Sequence, residues 1–226
     1  MPARVSIAIK KRSPGRPPGS TREVTRANIL LGARTCFARL GFDLATNRDI
    51  AEQAGVTAPA IYSYFPSKGA LYAATARAAM AEVARHIEKL ADKHADLGAN
   101  LSQITRGLLA LHRSDPSLGA FLSAMPTELQ RHPELTRELK SEPNAIRGVL
   151  EAIIKNAVRL KQIDPRAAPY TVAMFIACLM GLSQFSVLFG IEIGAPAATT
   201  FAELLEQSHP SRAKSQRRRP ARKRSR

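Results

Sequence analysis

Thr46-Asn47-Arg48-Asp49-Ile50-Ala51-Glu52-Gln53-Ala54-Gly55-Val56-Thr57-Ala58-Pro59-Ala60-Ile61-Tyr62-Ser63-Tyr64-Phe65-Pro66-Ser67-Lys68 is the stretch on which the fold turns. Its spacing predicts two short helices, the first capped by Thr46 and running through Ala54, the second capped by Thr57 and running through Phe65. Two such helices cross steeply only with a small residue at the contact, a glycine at the turn and apolar residues inside the second helix. Ala51, Gly55, Val56, Ile61 and Phe65 meet those needs. Pro59 is compatible: two residues past the cap it lacks only an amide hydrogen that would have had no intrahelical acceptor.

Packed this way, the second helix keeps an outer face of Thr57, Ala58, Ala60, Tyr62 and Ser63. A short rod with small and hydrogen-bonding side chains outward fits a DNA major groove, its first turn towards base edges. The first turn of the Thr46 helix, Asn47 included, joins Arg48, Tyr62, Tyr64 and Lys68 as expected phosphate contacts, since helix N-termini, hydroxyls and cations suit anionic oxygens.

The rest of the chain also reads as helix. Ile29, Ala33, Phe37 and Leu40 recur at helical spacing over about 21–40, and Gly41 closes that segment. Pro66-Ser67 opens a longer helix to about His94. Further helices are expected over about 98–113, 116–123, 127–161 with interruptions near Pro133 and Pro143, 165–190 behind an Asp164 cap and Pro165, and 197–207. No stretch alternates with period two, and no hairpin dipeptide or internal repeat occurs. The expected fold is all-α: a flexible basic arm over 1–20, a three-helix helix-turn-helix domain over 21–72, a larger helical domain over 73–208 and a disordered basic tail over 209–226.

The net charge of +16 sits at the ends. Of the 34 Lys and Arg, fifteen lie in residues 1–22 and 212–226, which hold no acid, so the middle carries nineteen against 18 Asp and Glu. A near-neutral body with two cationic arms suits an acidic polymer, which binds by releasing counterions. Within the first arm, Gly15-Arg16-Pro17 flanked by Lys10, Lys11 and Arg12 looks like the core of an AT-hook, in which Arg16 would lie along a narrow minor groove. Pro2 to Arg22 lacks the apolar core of a secretory signal, so a cytoplasmic location is expected. The two cysteines, Cys36 and Cys178, both in apolar stretches, suit buried thiols in a reducing compartment.

Ala167 to Ile191 carries no charge and is long enough to span a bilayer. Thr171, Ser183, Gln184 and Ser186 within it, and the amphipathic helices around it, favour a helix sandwiched between its own domain and a partner subunit. Enzyme chemistry finds little support: there is no Gly-rich phosphate loop, no Gly-x-Ser-x-Gly elbow and no His pair at metal spacing. His86 and His94, eight residues apart on a polar helix, read as surface, and no cofactor or metal is expected.

Asp49-Ile50-Ala51, Ala54-Gly55-Val56, Tyr62-Ser63-Tyr64-Phe65 and Ser67-Lys68, with Phe37 and Gly41 ahead of them, resemble the DNA-binding domain of TetR-family transcriptional regulators over about residues 25–72. Ala58 and Pro59 depart from the residues common in that family, so individual operator contacts do not carry over. The resemblance implies a repressor that binds a double-stranded DNA operator as a homodimer paired through its last two long helices, with Phe175, Leu179, Leu182, Phe185, Leu188 and Phe201 as candidates for interface or core. It also implies a small-molecule effector in a cavity of the second domain, for which Phe121, Leu122, Met125, Leu129, Met174 and Cys178 are the candidate lining, pointing to an apolar ligand. The alternatives are a sequence-tolerant architectural protein that coats DNA with its tails, and a membrane-anchored DNA-binding protein.

Overall fold

The computed structural model describes residues 22–140 and 144–208, so Arg16, both basic ends and the AT-hook-like segment lie outside the described residues. Among those described, ten helices and no strand occur. Helix α1 (Arg22–Leu44) buries Ile29, Ala33, Cys36 and Phe37, the stripe its spacing predicts. Gly41 adopts φ 74°, a left-handed value suited to glycine, and breaks the helix where the sequence reading ends it; one more turn follows.

Two further helices, α2 (Asn47–Ala54) and α3 (Ala58–Tyr62), complete the first domain. Gly55 ends α2 with φ 65°, its N–H reaching back to the Ala51 and Glu52 carbonyls. The second helix of the motif is shorter than expected, stopping at Tyr62 rather than Phe65, and the Thr57 side chain makes no capping hydrogen bond. Ile61 and Phe65, both buried, hold this segment down by packing, so the chain can leave α-geometry without losing the contact.

Where α1 crosses α2, Gly32 is the close point: a Cβ there would sit 3.1 Å from the Ala54 amide nitrogen and 3.2 Å from the Ile50 carbonyl oxygen. Those are backbone atoms and cannot swing aside. Gly32→Val is expected to cost about 2–3 kcal/mol by overpacking, seen as a lower urea midpoint at unchanged m-value, and a midpoint equal to the parent's would refute this close contact.

The second domain comprises α4 (Lys68–Leu90), α5 (Leu97–Ser114), α6 (Pro116–Arg131), α7 (Pro133–Lys140), α8 (Ala145–Arg159), α9 (Ala168–Phe189) and α10 (Ile191–Ser208). The break expected between residues 123 and 127 is absent: α6 is continuous, with Pro126 inside it. Proline removes one helical hydrogen bond there, and the buried Leu118 and Phe121 keep the helix on the core. Asp164 does not cap α9; its side chain accepts from the Arg166 amide in a turn, and the helix starts at Ala168. Helix α10 starts at Ile191, six residues earlier than expected, straight after Gly190 at φ 82°.

Helix α4 packs against α1, and an aromatic cluster ties the two to α6. Tyr72 of α4 lies 5.0 Å from Phe37 and 5.5 Å from Phe42 of α1, and 5.3 Å from Phe121 of α6, centroid to centroid. Burial, reinforced by the Glu128 charge, raises the Tyr72 phenol well above its ordinary pKa, so it stays neutral. Helix α10 packs along α5, where Glu206 accepts from Ser102 and Arg106 at 2.8 Å each. His86 is not a plain surface residue: its Nε2 lies 3.2 Å from the Gly107 carbonyl and ties α4 to α5, whereas His94 is exposed.

Candidate nucleic-acid interface and the cavity behind it

On the outer side of the helix-turn-helix, Tyr62 is 59% exposed, and Pro59 and Ser63 are also exposed. Thr57, Ala58 and Ala60 are half-buried, with Ala58 packed against the core. The exposed part of the presented face therefore lies towards the end of α3, at Tyr62 and Ser63.

The phosphate candidates divide. Arg48 is exposed and makes no hydrogen bond among the described residues. At the start of α2, Thr46 and Asp49 close a capping box: Thr46 Oγ1 accepts from the Asp49 amide at 3.2 Å, and the Asp49 carboxylate accepts from the Thr46 amide at 3.0 Å and hydroxyl at 2.7 Å. Those bonds hold the Asp49 carboxyl below the ordinary carboxylate value. The Asp49 carboxylate thus shares the end of α2 at which a phosphate contact is expected, and Asn47 beside it is half-buried.

Lys68 and Tyr64, both half-buried, also make contacts within the chain. Lys68 Nζ donates to the Asp43 carbonyl at 3.0 Å and lies 4.8 Å from the centre of the Phe42 ring. Tyr64, half-buried, sits under the Arg22 guanidinium at 5.6 Å, and Arg26 lies 5.4 Å over Phe65. Arg22 and Arg26 are exposed cations beside the recognition segment that the sequence reading did not single out. Their signal was present as basic residues four apart at the start of α1, but only the folded chain sets them over Tyr64 and Phe65. Helix α4 starts with Ser67 accepting from the Ala70 amide and carries no acid in its first turn, so its positive end stays open, unlike that of α2.

In the second domain a cavity of about 240 Å³ opens among α4, α5, α6 and α9. Met125 and Leu122 line it, as expected. The other candidates lie elsewhere: Phe121 is buried in the aromatic cluster, Leu129 packs on the core, Met174 is 56% exposed on the outside of α9, and Cys178 is half-buried away from the lining. A single amphipathic period cannot say which of two apolar faces meets a cavity and which meets core, and this division is where that limit shows. Leu179 and Leu182, candidates for interface or core, face the cavity, while Phe175 is core. Phe185 and Leu188 are exposed and Phe201 is half-buried.

Between cavity and helix-turn-helix stands an ion cluster built around one buried guanidinium. Arg34 of α1, buried, forks to Glu82 of α4 at 2.8 Å and to Asp115. Asp115 caps α6, accepting from the Leu118 amide at 3.1 Å, and Leu118 lines the cavity. One guanidinium thus joins α1 to α4 and to the start of α6.

Residues 29–75 match the family model described as bacterial regulatory proteins, tetR family. Over 126 residues the chain is 31% identical to the HTH-type transcriptional repressor Rv1474c of Mycobacterium tuberculosis, covering 56% of this chain and 57% of that protein. Over 90 residues it is 30% identical to the uncharacterized HTH-type transcriptional regulator YfiR of Bacillus subtilis, covering 38% of this chain and 44% of that one. The chain thus spans about half the length of these curated relatives. Among solved structures it is similar to Salmonella enterica GusR, with TM-score 0.69 and 23% identity over 85% of this chain and 99% of the other. It is also similar to the Bacillus subtilis regulator FadR in complex with stearoyl-CoA, with TM-score 0.68 and 19% identity over 79% and 96%. The structural likenesses carry the all-helical fold, and the likeness to the tetR family of bacterial regulatory proteins is carried by the helix-turn-helix segment, residues 29–75.

Proposed function

We propose that this chain is a sequence-specific DNA-binding repressor of transcription that works as a cytoplasmic homodimer and leaves its operator when a small apolar molecule fills the cavity. The observation that carries the reading is the Arg34 fork, which links a cavity-lining helix to the helix that supports the DNA-facing motif. A regulator of this design makes and breaks no covalent bond. Filling the cavity moves α6, α6 moves α1, and the spacing of two recognition segments in a symmetric pair changes, so ligand and operator compete through a shared equilibrium.

A pair is favoured by the outer face of α9 and its neighbour, where Tyr170, Met174, Leu188, Phe189 and Ile193 are exposed. Among the described residues the segment Ala168–Ser186 is long and apolar enough to cross a membrane by length and composition. Two of its polar residues nonetheless bond to α6: Ser183 meets Ser123 at 2.5 Å, and Gln184, itself exposed, donates to the Ser123 carbonyl at 2.5 Å. A second copy of α9 covers the remaining apolar face by two-fold symmetry. Leu188→Arg with Phe189→Glu is expected to halve the mass measured by light scattering in solution, and a parent chain that is already monomeric would refute the pairing.

The function itself is tested by selecting bound DNA from a random pool and footprinting the product. One protected palindrome, released by an apolar compound, fits a regulator. Diffuse protection fits the architectural reading favoured by the basic ends.

A further inference from the structure

The cavity is lined by apolar residues and, among the described ones, by no Lys, Arg, Asp or Glu. Its polar lining groups are almost all engaged with the protein itself. Thr105 donates to the Leu101 carbonyl at 2.8 Å and Ser186 to the Leu182 carbonyl at 2.9 Å, both back-bonds within their own helices. Ser123 and Ser183 pair with each other, Gln184 donates to the Ser123 carbonyl, and Asn144 accepts from the Arg147 amide as the cap of α8.

His112, in the last turn of α5, is the one polar lining residue whose side chain makes no hydrogen bond at all among the described residues, where Gln184 and Asn144 each leave one side-chain atom unpaired. Its ring lies against Gly119 of α6, where a Cβ would fall 1.8 Å from Nδ1. Glycine at 119 is thus what allows the imidazole to occupy that wall. The residue also stands one helical turn before Asp115, the end of the Arg34 fork.

We propose that His112 reads the effector, and that the effector is a neutral molecule with an apolar body and one hydroxyl or carbonyl group. This rests on the cavity being the effector site. A neutral imidazole donates from one nitrogen and accepts at the other, so it satisfies either group by choice of tautomer. A carboxylate or ammonium would lose its water in a cavity whose lining holds no fixed opposite charge, a cost that one hydrogen bond does not offset. Engagement of His112 would pull on the end of α5 and thereby on Asp115.

The test titrates the full chain by calorimetry at neutral pH with three probes of one shape: naphthalene, 2-naphthol and 2-naphthoate. The expected order places 2-naphthol about five- to tenfold tighter than naphthalene, the worth of one net hydrogen bond, with 2-naphthoate weakest. His112→Phe brings 2-naphthol to the level of naphthalene, His112→Gln recovers part of the preference, and Gly119→Ala, by displacing the ring, also erodes it. Equal binding of naphthalene and 2-naphthol by the parent chain overturns the role of His112 and leaves the cavity an effector site. A preference that survives His112→Phe overturns it equally, and tightest binding of 2-naphthoate overturns the neutral class. Failure of all three probes to bind overturns both this inference and the effector reading. The comparison in the parent chain requires no variant to fold.

Discussion

Replacing Tyr62 and Ser63 together with Glu is expected to weaken binding to the selected operator by at least a hundredfold, measured by fluorescence anisotropy at fixed salt. Both side chains are exposed at the end of α3, so the folded domain tolerates the change and its thermal transition stays within a few degrees. Two carboxylates in a groove lined by phosphates lose favourable contacts and add repulsion, together worth about 3 kcal/mol or more. Ala60 and Ala58 are poorer sites for the same experiment, because both are half-buried and a bulky acid would disturb the packing as well as the groove. If the double variant kept the parent's affinity and salt dependence, the outward face of α3 would not be the DNA-reading surface.

The second large effect is expected at Arg34. Arg34→Met keeps most of the volume and removes the charge, leaving Glu82 and Asp115 without their shared cation. Breaking a fully buried pair costs about 3–5 kcal/mol, and the partial exposure of both acids lowers the expectation to about 2–3 kcal/mol. Urea unfolding gives that number. The more specific consequence is lost coupling: a ligand that releases the parent from its operator should bind the variant and change its DNA affinity little. Arg34→Lys keeps a charge but cannot fork to two carboxylates, and should recover stability better than coupling. Full ligand-induced release from Arg34→Met would refute the route through α6.

The same cluster sets a pH dependence. Burial pushes the Asp115 carboxyl up, but hydrogen bonds from the Ser117 hydroxyl and the Leu118 and Ser117 amides, with the Arg34 guanidinium, bring it below the ordinary carboxylate value. A group with a depressed folded-state pKa contributes stability that is complete above its unfolded value of about 3.9 and disappears as pH falls through the folded value. Thermal stability should therefore fall with pH below about 4, and Asp115→Asn should flatten that portion of the curve while lowering stability at neutral pH. An unchanged acid limb would show that Asp115 is not among the groups that titrate on unfolding.

Local rules account for the helix-turn-helix. A threonine cap, a glycine in the left-handed region and apolar residues at the crossing each act within a few residues of themselves, so Thr46, Gly55, Ile61 and Phe65 announce the motif wherever it lies in a chain. The DNA-facing set was less legible. Lys68 and Tyr64 read as phosphate ligands in a linear sequence, and only the fold adds their contacts with Phe42, Asp43 and Arg22, residues 20 or more positions away. Thr46 caps α2 as its spacing predicts, whereas the reciprocal bond from Asp49 that completes the capping box is seen only in the fold.

What the amino-acid order determined on its own was the all-helical class, the positions of most helices and the family of the first domain, because helix periodicity and capping are short-range. Only the tertiary structure decided that Leu179 and Leu182 face a cavity while Phe121 and Phe175 fill the core, that Met174 and Leu188 turn outward, and that Arg34 and His112 stand at the joints between helices. The physical reason is that an apolar or charged side chain signals only a preference for some partner. Which partner it meets depends on how whole helices stack, and that is settled by contacts between residues far apart in the chain.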